Sequence, residues 1–270
     1  MDKWIVDYEK LLLAATGYSG NKKKEQKLIS ASSLGNDMLQ LYLDYRHGKT
    51  EDKKFEASNV GSMFQLGVDK ACGDAMEGFE NPQYISAKRF THTLPNGWVV
   101  SGEIDQLDTV NKVIIDNKVS TATAKKKVLT EGLGHQYALQ LGVYKYLVHK
   151  NLGEDYSGAL AFVDKSASYF KPTSGDTMNY MNVKTYDYEE IEELLIKKSN
   201  ELQEYIDLDE EPGVCENRFP FKSKSITKMM RCIHYCSFNQ VCEHYNPNTA
   251  AKSFAENLNL TDTKINQFEF

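Results

Sequence analysis

No uninterrupted apolar run in these 270 residues approaches the roughly 20 needed to cross a bilayer, which argues against a membrane-spanning helix. Asp2, Asp7 and Glu9 stand around the short Leu11–Ala15 patch, a pattern unlike a secretory leader, so a cytoplasmic protein is expected. Proline is scarce, at six, and apolar residues reach 41%, which excludes a disordered chain and predicts one main core. Cysteines number five, three of them crowded between 232 and 242; that suits metal binding in a reducing compartment better than a disulfide framework. Positive charge is also short. The formal net charge of −6 gives no global attraction for nucleic acid, so binding to a polyanion must rest on local basic patches and on metal ions. Those patches are Lys22–Lys24, Lys125–Lys127, and Lys222 with Lys224, Lys228 and Arg231; such charge runs are usually solvated faces, so none identifies DNA binding unaided. A Walker-type lysine loop is missing, so any motor would be a separate protein.

Apolar periodicity predicts a helix over residues 1–16, carrying Trp4, Ile5, Tyr8, Leu11 and Leu12 on one face, and a loop over Gly17–Lys27. A second helix is expected over Ala31–Arg46, capped by Ser32 or Ser33, and a third over Asn59–Met76. The period then changes to two. Ile85–His92, Trp98–Asp105 and Lys112–Val119 read as strands, the first pair joined by a Leu94-Pro95-Asn96-Gly97 turn. Residues 131–150 return to a helix with Tyr137, Leu141, Tyr144 and Val148 among its buried candidates. Gly158–Asp164 and Met181–Tyr186 follow as strands, and Asp187–Leu208 as a long charged amphipathic helix. This order predicts an α/β or α+β fold, a sheet flanked by helices. Pro212-Gly213 marks a boundary, giving a core over 1–211, a cysteine-containing segment over 212–246 and a polar tail over 247–270.

The chemistry concentrates in Ser101-Gly102-Glu103-Ile104-Asp105 and Val113-Ile114-Ile115-Asp116-Asn117-Lys118-Val119. Side chains alternate along a strand, so Asp116 and Lys118 share a face. Ionised groups at the end of an apolar run need partners, and a divalent cation beside the two aspartates would be one. Asp105 and Asp116 on neighbouring strands could hold Mg²⁺ or Mn²⁺, with the backbone carbonyl of Asn117 as a third oxygen. Lys118 would orient an attacking water or stabilise a developing oxyanion. Taken alone, an Asp-x-Lys triplet is most often just the end of a surface strand.

The order of these pieces is more specific than any one of them. Gly-x-Ile-Asp, then a strand ending in Asp-x-Lys, then Gln140-Leu141-Gly142-Val143-Tyr144 on a helix resembles the RecB-type branch of the PD-(D/E)xK nucleases. The resemblance implies a restriction-endonuclease-like central mixed sheet flanked by helices, and catalytic roles for Asp105, Asp116, Lys118, Gln140 and Tyr144. It implies DNA as substrate, exonuclease action, and work in replication, recombination or repair of a phage-like kind, with a separate helicase or recombination protein as a partner. The family also has an upstream helix in which a Gly is followed four residues later by a metal-binding His. Here Gly61-Ser62-Met63-Phe64-Gln65 occupies that place, so the weak metal-ligand assignment falls to Gln65, which offers only a neutral carbonyl oxygen.

Cys232-Ile233-His234-Tyr235-Cys236 and Cys242 have ligand-like spacing. Some RecB-like nucleases pin this segment with a four-iron, four-sulfur cluster, but with spacings of two and five residues where this chain has three and five. The fourth family cysteine has no counterpart upstream, so Cys215 or Cys72 would complete a cluster, or His234 or His244 a zinc site. Reduced thiols packed in a small helical cap are the alternative. Two other readings of the whole chain stand beside the exonuclease: a non-catalytic DNA-binding adaptor on the same fold, towards which Gln65 leans, and a restriction-type endonuclease with base-specific contacts.

Overall fold

Alternation of period two through the middle of the chain builds a mixed six-stranded sheet. The computed structural model describes residues 25–48, 56–80, 82–120, 135–164, 178–215, 232 and 236–244. Strands β2 (Tyr84–Thr93) and β3 (Val99–Asp108) pair antiparallel from Tyr84↔Asp108 to Thr93↔Val99. Their connection is a tight turn in which Gly97 N–H donates to Leu94 O at 2.9 Å and Leu94 N–H to Trp98 O at 2.7 Å. Gly97 sits at φ +83°, where a side chain would be strained. Buried Leu94 and Trp98 fasten this end of the hairpin to the core.

Strand β4 (Val113–Ser120) pairs antiparallel with β3 over three residues only, Gln106↔Ile115 to Asp108↔Val113. At its start β3 is bordered instead by β1 (Leu28–Ser30), running parallel to it from Leu28↔Val99 to Ser30↔Ser101. The other edge of β4 is fully paired, parallel to β5 (Ser157–Asp164), and β6 (Met178–Val183) closes the sheet antiparallel to β5. A parallel β4–β5 pair requires a crossover, and helix α3 (His135–Leu152) lies in it.

Helix α2 (Glu56–Met76) packs on β2 and β4, and α3 on β2 to β5. Leu141, Val143, Tyr146, Leu147 and Val148 of α3 are all solvent-inaccessible, so the helix is buried on more than one side. At about 1.5–3 kcal/mol for each fully buried side chain, this helix is a main contributor to the core. Its outer side meets helix α4 (Tyr188–Leu208), where Ile191 Cδ1 lies 2.8 Å from where a Cβ on Gly142 would stand. Tyr146 Oη donates to Glu192 at 2.9 Å nearby. The start of α4 is closed by Asp187 N–H donating back to Glu190 Oε2 at 2.9 Å, half of a capping box.

The described residues form two compact units, one from segments within 27–35 and 55–201 and a second from segments within 19–26, 36–54 and 202–270. The sheet, α2 and α3 belong to the first. The second contains helix α1 (Met38–His47), whose Leu39 and Leu43 pack with Cys236 and Phe238. Cys215, Val241 and Cys242 lie against that cluster.

The strand and helix order follows the sequence reading, with two differences. Residues 31–46 are not one helix: Ala31–Ser33 form a 3-10 turn and α1 begins only at Met38, after Asp37. Ser33 Oγ donates to Ser30 O at 2.9 Å and closes the tight turn, so the serines serve that turn instead of capping an α-helix. Strand β1, three residues long, carries too little alternation to announce itself. The expected helix over 1–16, the basic patches at 22–24, 125–127 and 222–231, and the tail from 246 lie outside the described residues. Among the described residues no helix is long and apolar enough to cross a membrane.

Candidate active site

The site forms where β3 and β4 part. Continued by one residue, their register would set Asp105 opposite Asp116, but the ladder stops at Gln106↔Ile115. The carboxylate of Asp105 occupies the opening and accepts the backbone N–H of Asn117 through Oδ2 at 2.7 Å. This satisfies a main-chain donor that β3 no longer pairs.

Alternation along β4 then sorts the remaining groups. Asp116 and Lys118 share a face, as their spacing predicts, and Lys118 Nζ stands 2.6 Å from Asp116 Oδ2. On that face α3 supplies Gln140, whose Nε2 donates to Asp116 Oδ1 at 3.4 Å while its Oε1 accepts from Lys118 at 3.4 Å. A carboxylate can only accept and an ammonium only donate, so the two together fix which way the Gln140 amide points. Nε2 also donates to Tyr144 Oη at 2.8 Å, one helical turn on. Asn117 faces the other way, towards α2, and its Nδ2 donates to Gln65 Oε1 at 3.0 Å.

Two carboxylates of like charge, Asp116 buried and Asp105 half-buried, resist ionisation. Asp116 is 2% exposed. Burial pushes its pKa up against the pull of Lys118. Burial likewise raises Asp105, with the charge of Asp116 adding to the effect and the Asn117 N–H opposing it, to about 7. Tyr144 is raised as well, by burial and then by Asp116, and remains a neutral hydrogen-bonding phenol. With both aspartates ionised and Lys118 protonated, the pocket carries one uncompensated negative charge, which a divalent cation would offset. Among the described residues no three His, Cys, Asp or Glu side chains converge as a ready-made metal cage. Two aspartates, a main-chain carbonyl at Asn117 and retained waters are nevertheless an all-oxygen set that fits Mg²⁺ or Mn²⁺.

These groups line an open cleft of about 300 Å³, which Gly61 and Phe64 of α2 also border. Of the sequence-predicted site residues, Asp105, Asp116, Asn117, Lys118, Gln140, Tyr144 and Gln65 all meet there. The sequence reading gave Tyr137 only as a buried helix candidate, whereas its ring centroid lies 5.5 Å from Lys118 Nζ, and it did not single out Asp69, which accepts from Gln65 Nε2 at 2.7 Å. Their spacings were legible: Tyr137 is three residues before Gln140 and Asp69 four after Gln65, each on a shared helical face.

The cysteines divide between the units. Cys72 lies on α2 in the first, the other four in the second. Burial pushes the Cys215 thiol up to about 12, with Asp37 and the thiols of Cys236, Cys232 and Cys242 adding to the effect. Gln40 Nε2 lies 3.7 Å from Cys236 Sγ, and none of the five cysteines is disulfide-bonded. His244 Nε2 lies 3.5 Å from Glu211, while His234 lies outside the described residues.

No curated protein matches the chain significantly by sequence. Among solved structures, SSO0001 shares the fold, with a TM-score of 0.54 and 15% identity over 88% of this chain and 97% of that one. A phage-related exonuclease from Haemophilus somnus 129PT aligns at a TM-score of 0.41 and 16% identity, over 67% and 93% of the two chains. The alkaline exonuclease LHK-Exo from Laribacter hongkongensis aligns at 0.45 and 14%, over 74% and 95%. The mixed sheet flanked by helices agrees with the family whose profile matches residues 19–243, and the chain belongs to the PD-(D/E)XK nuclease superfamily.

Proposed function

We propose that this chain is a Mg²⁺- or Mn²⁺-dependent deoxyribonuclease of the RecB-like kind that degrades DNA from its ends. The observation that carries the reading is the shared carboxylate of Asp116, held by Lys118 at 2.6 Å and by Gln140 at 3.4 Å beside the half-buried Asp105. Asp105, Asp116 and the Asn117 carbonyl would hold the cation. When bound, the cation makes a water more acidic and offsets charge building on the phosphate. Lys118 is 22% exposed, enough to reach a phosphate in the cleft and orient the attacking water or stabilise the oxyanion. Gln140 keeps Lys118 and Asp116 in register, and Tyr144 keeps Gln140 in place. The exonuclease part of the proposal rests on the resemblance of the Gln140–Tyr144 helix to RecB-like nucleases.

DNA is the proposed partner, with a separate helicase or recombination protein supplying any motor in phage-like recombination or repair. Cys215, Cys232, Cys236 and Cys242 are proposed to serve structure, as packed thiols or as ligands of a four-iron, four-sulfur cluster; the iron content of anaerobically purified protein decides between the two.

The test is degradation of end-labelled linear DNA beside closed circular DNA, with Mg²⁺, Mn²⁺ or EDTA. Metal-dependent loss of linear DNA alone is expected, and Asp116→Asn, which removes a ligand at almost constant volume, should abolish it. Cutting of circles would favour an endonuclease, and no cleavage in either metal would favour a DNA-binding role.

A further inference from the structure

Gln65 stands where a metal ligand would be sought, yet its carbonyl oxygen is already engaged. Asp69, one helical turn farther along α2, accepts from Gln65 Nε2 at 2.7 Å. An ionised carboxylate only accepts, so this contact turns the amide group of Gln65 towards Asp69 and its Oε1 away. Oε1 then accepts from Asn117 Nδ2 at 3.0 Å. Asn117 is in turn fastened through its own backbone N–H to Asp105 Oδ2 at 2.7 Å. The result is an unbroken series from α2 to the opening between β3 and β4: Asp69, Gln65, Asn117, Asp105.

The need for such a series follows from the sheet. At Asn117 the edge of β4 towards β5 is paired, Asn117 opposite Ala161, but the edge towards β3 is not. A peptide with one edge of its strand unpaired is less constrained in rotation, and this peptide lies between Asp116 and Lys118. Holding the side chain of Asn117 from α2 and its N–H from Asp105 restores a fixed orientation. We infer that Gln65 and Asp69 are positioning residues that act through Asn117, setting the peptide between Asp116 and Lys118 and with it the carboxylate of Asp105, and that Gln65 is not a metal ligand. The inference rests on the nuclease reading for its functional meaning, though not for its structural test.

Two readouts separate it from its alternatives. The first is a double-mutant cycle on the full chain, read in DNA cleavage and in calorimetric titration with Mn²⁺ alone. Gln65→Ala should lower kcat by about 10- to 100-fold, the range typical of groups that orient metal-site residues, with KM for DNA little changed. In an Asn117→Ala background the same substitution should cost less than about twofold, because the group through which Gln65 acts is gone. A direct ligand would cost the same in both backgrounds, in cleavage and in Mn²⁺ affinity, and that result would overturn the inference. Asp69→Ala should reproduce the effect of Gln65→Ala, whereas Asp69→Asn, which keeps an acceptor for Nε2, should restore most of the activity.

The second readout needs neither cleavage nor metal. Amide hydrogen exchange over residues 115–119 should quicken in Gln65→Ala and Asp69→Ala relative to the unmodified protein. Unchanged exchange there would sink the positioning role whatever the activity does. An inactive unmodified protein with slow exchange that quickens in both variants would instead leave the relay standing and remove the nuclease reading.

Discussion

Gly102 lies directly beneath the ring of Tyr144: a Cβ at position 102 would stand 2.8 Å from Cε1 and 2.9 Å from Cδ1. The glycine of Gly-x-Ile-Asp and the tyrosine of Gln-x-x-x-Tyr, 42 residues apart, are therefore one packing unit. Its purpose is to let α3 approach β3 closely enough for Gln140 to reach Asp116. Tyr144 is 5% exposed, so a shift of its ring disturbs its packing. Gly102→Ala should cost about 1–3 kcal/mol through overpacking and lower kcat by displacing Gln140. Thermal melting and cleavage of linear DNA check both; a stable, fully active Gly102→Ala protein would show that the ring can move.

Asp105 predicts a pH dependence of the metal-free protein. Its folded pKa is raised, by burial and then by Asp116, from 3.8 to about 7. Between those values the folded state binds a proton that the unfolded state has released. The stabilising contribution is thus complete below about pH 4 and is lost as pH rises through about 7. Melting temperature in EDTA should fall more steeply over this window in the unmodified protein than in Asp105→Asn, and saturating Mg²⁺ should flatten the difference at the upper end. Parallel curves would mean that Asp105 ionises at ordinary pH.

Lys118 sits over the ring of Tyr137 with Nζ 5.5 Å from the centroid. A partly desolvated cation gains about 0.5–2 kcal/mol from such a ring. Tyr137→Leu should therefore reduce kcat about 2- to 30-fold with KM for DNA nearly unchanged. Tyr137→Phe keeps the ring face and should restore most of the rate. Equal losses in the two variants would point to the hydroxyl and remove the cation–π account.

Cys236, 8% exposed, packs with Leu39, Leu43 and Phe238. Cys236→Ser places a stronger polar group in that site and should lower stability by about 1–3 kcal/mol without changing kcat at temperatures where the variant is folded. A variant that melts normally would exclude a packed or ligating role for this thiol.

Much of the site was legible because its residues obey local rules. The same-face placement of Asp116 and Lys118 follows from strand alternation, and that of Gln140 and Tyr144 from helical spacing, whatever else the chain does. The alternating strands, the Asn96-Gly97 turn and the long amphipathic α4 were likewise set by periods and turn chemistry within a few residues of one another. The three-residue β1 and the break between Ser33 and Met38 were not, because each depends on a partner distant in sequence: β1 on β3, and the break on Gly35, whose backbone lies against Gln136. Tertiary structure alone decided where β3 and β4 part, so that Asp105 fills the opening and takes the Asn117 N–H. It also decided that Gln65 turns its carbonyl to Asn117, since that choice requires Asp69 on the same helix and β4 beside it. Local sequence determines which face a side chain occupies; only packing between distant segments determines which partner waits there, and the chemistry of this site depends on both.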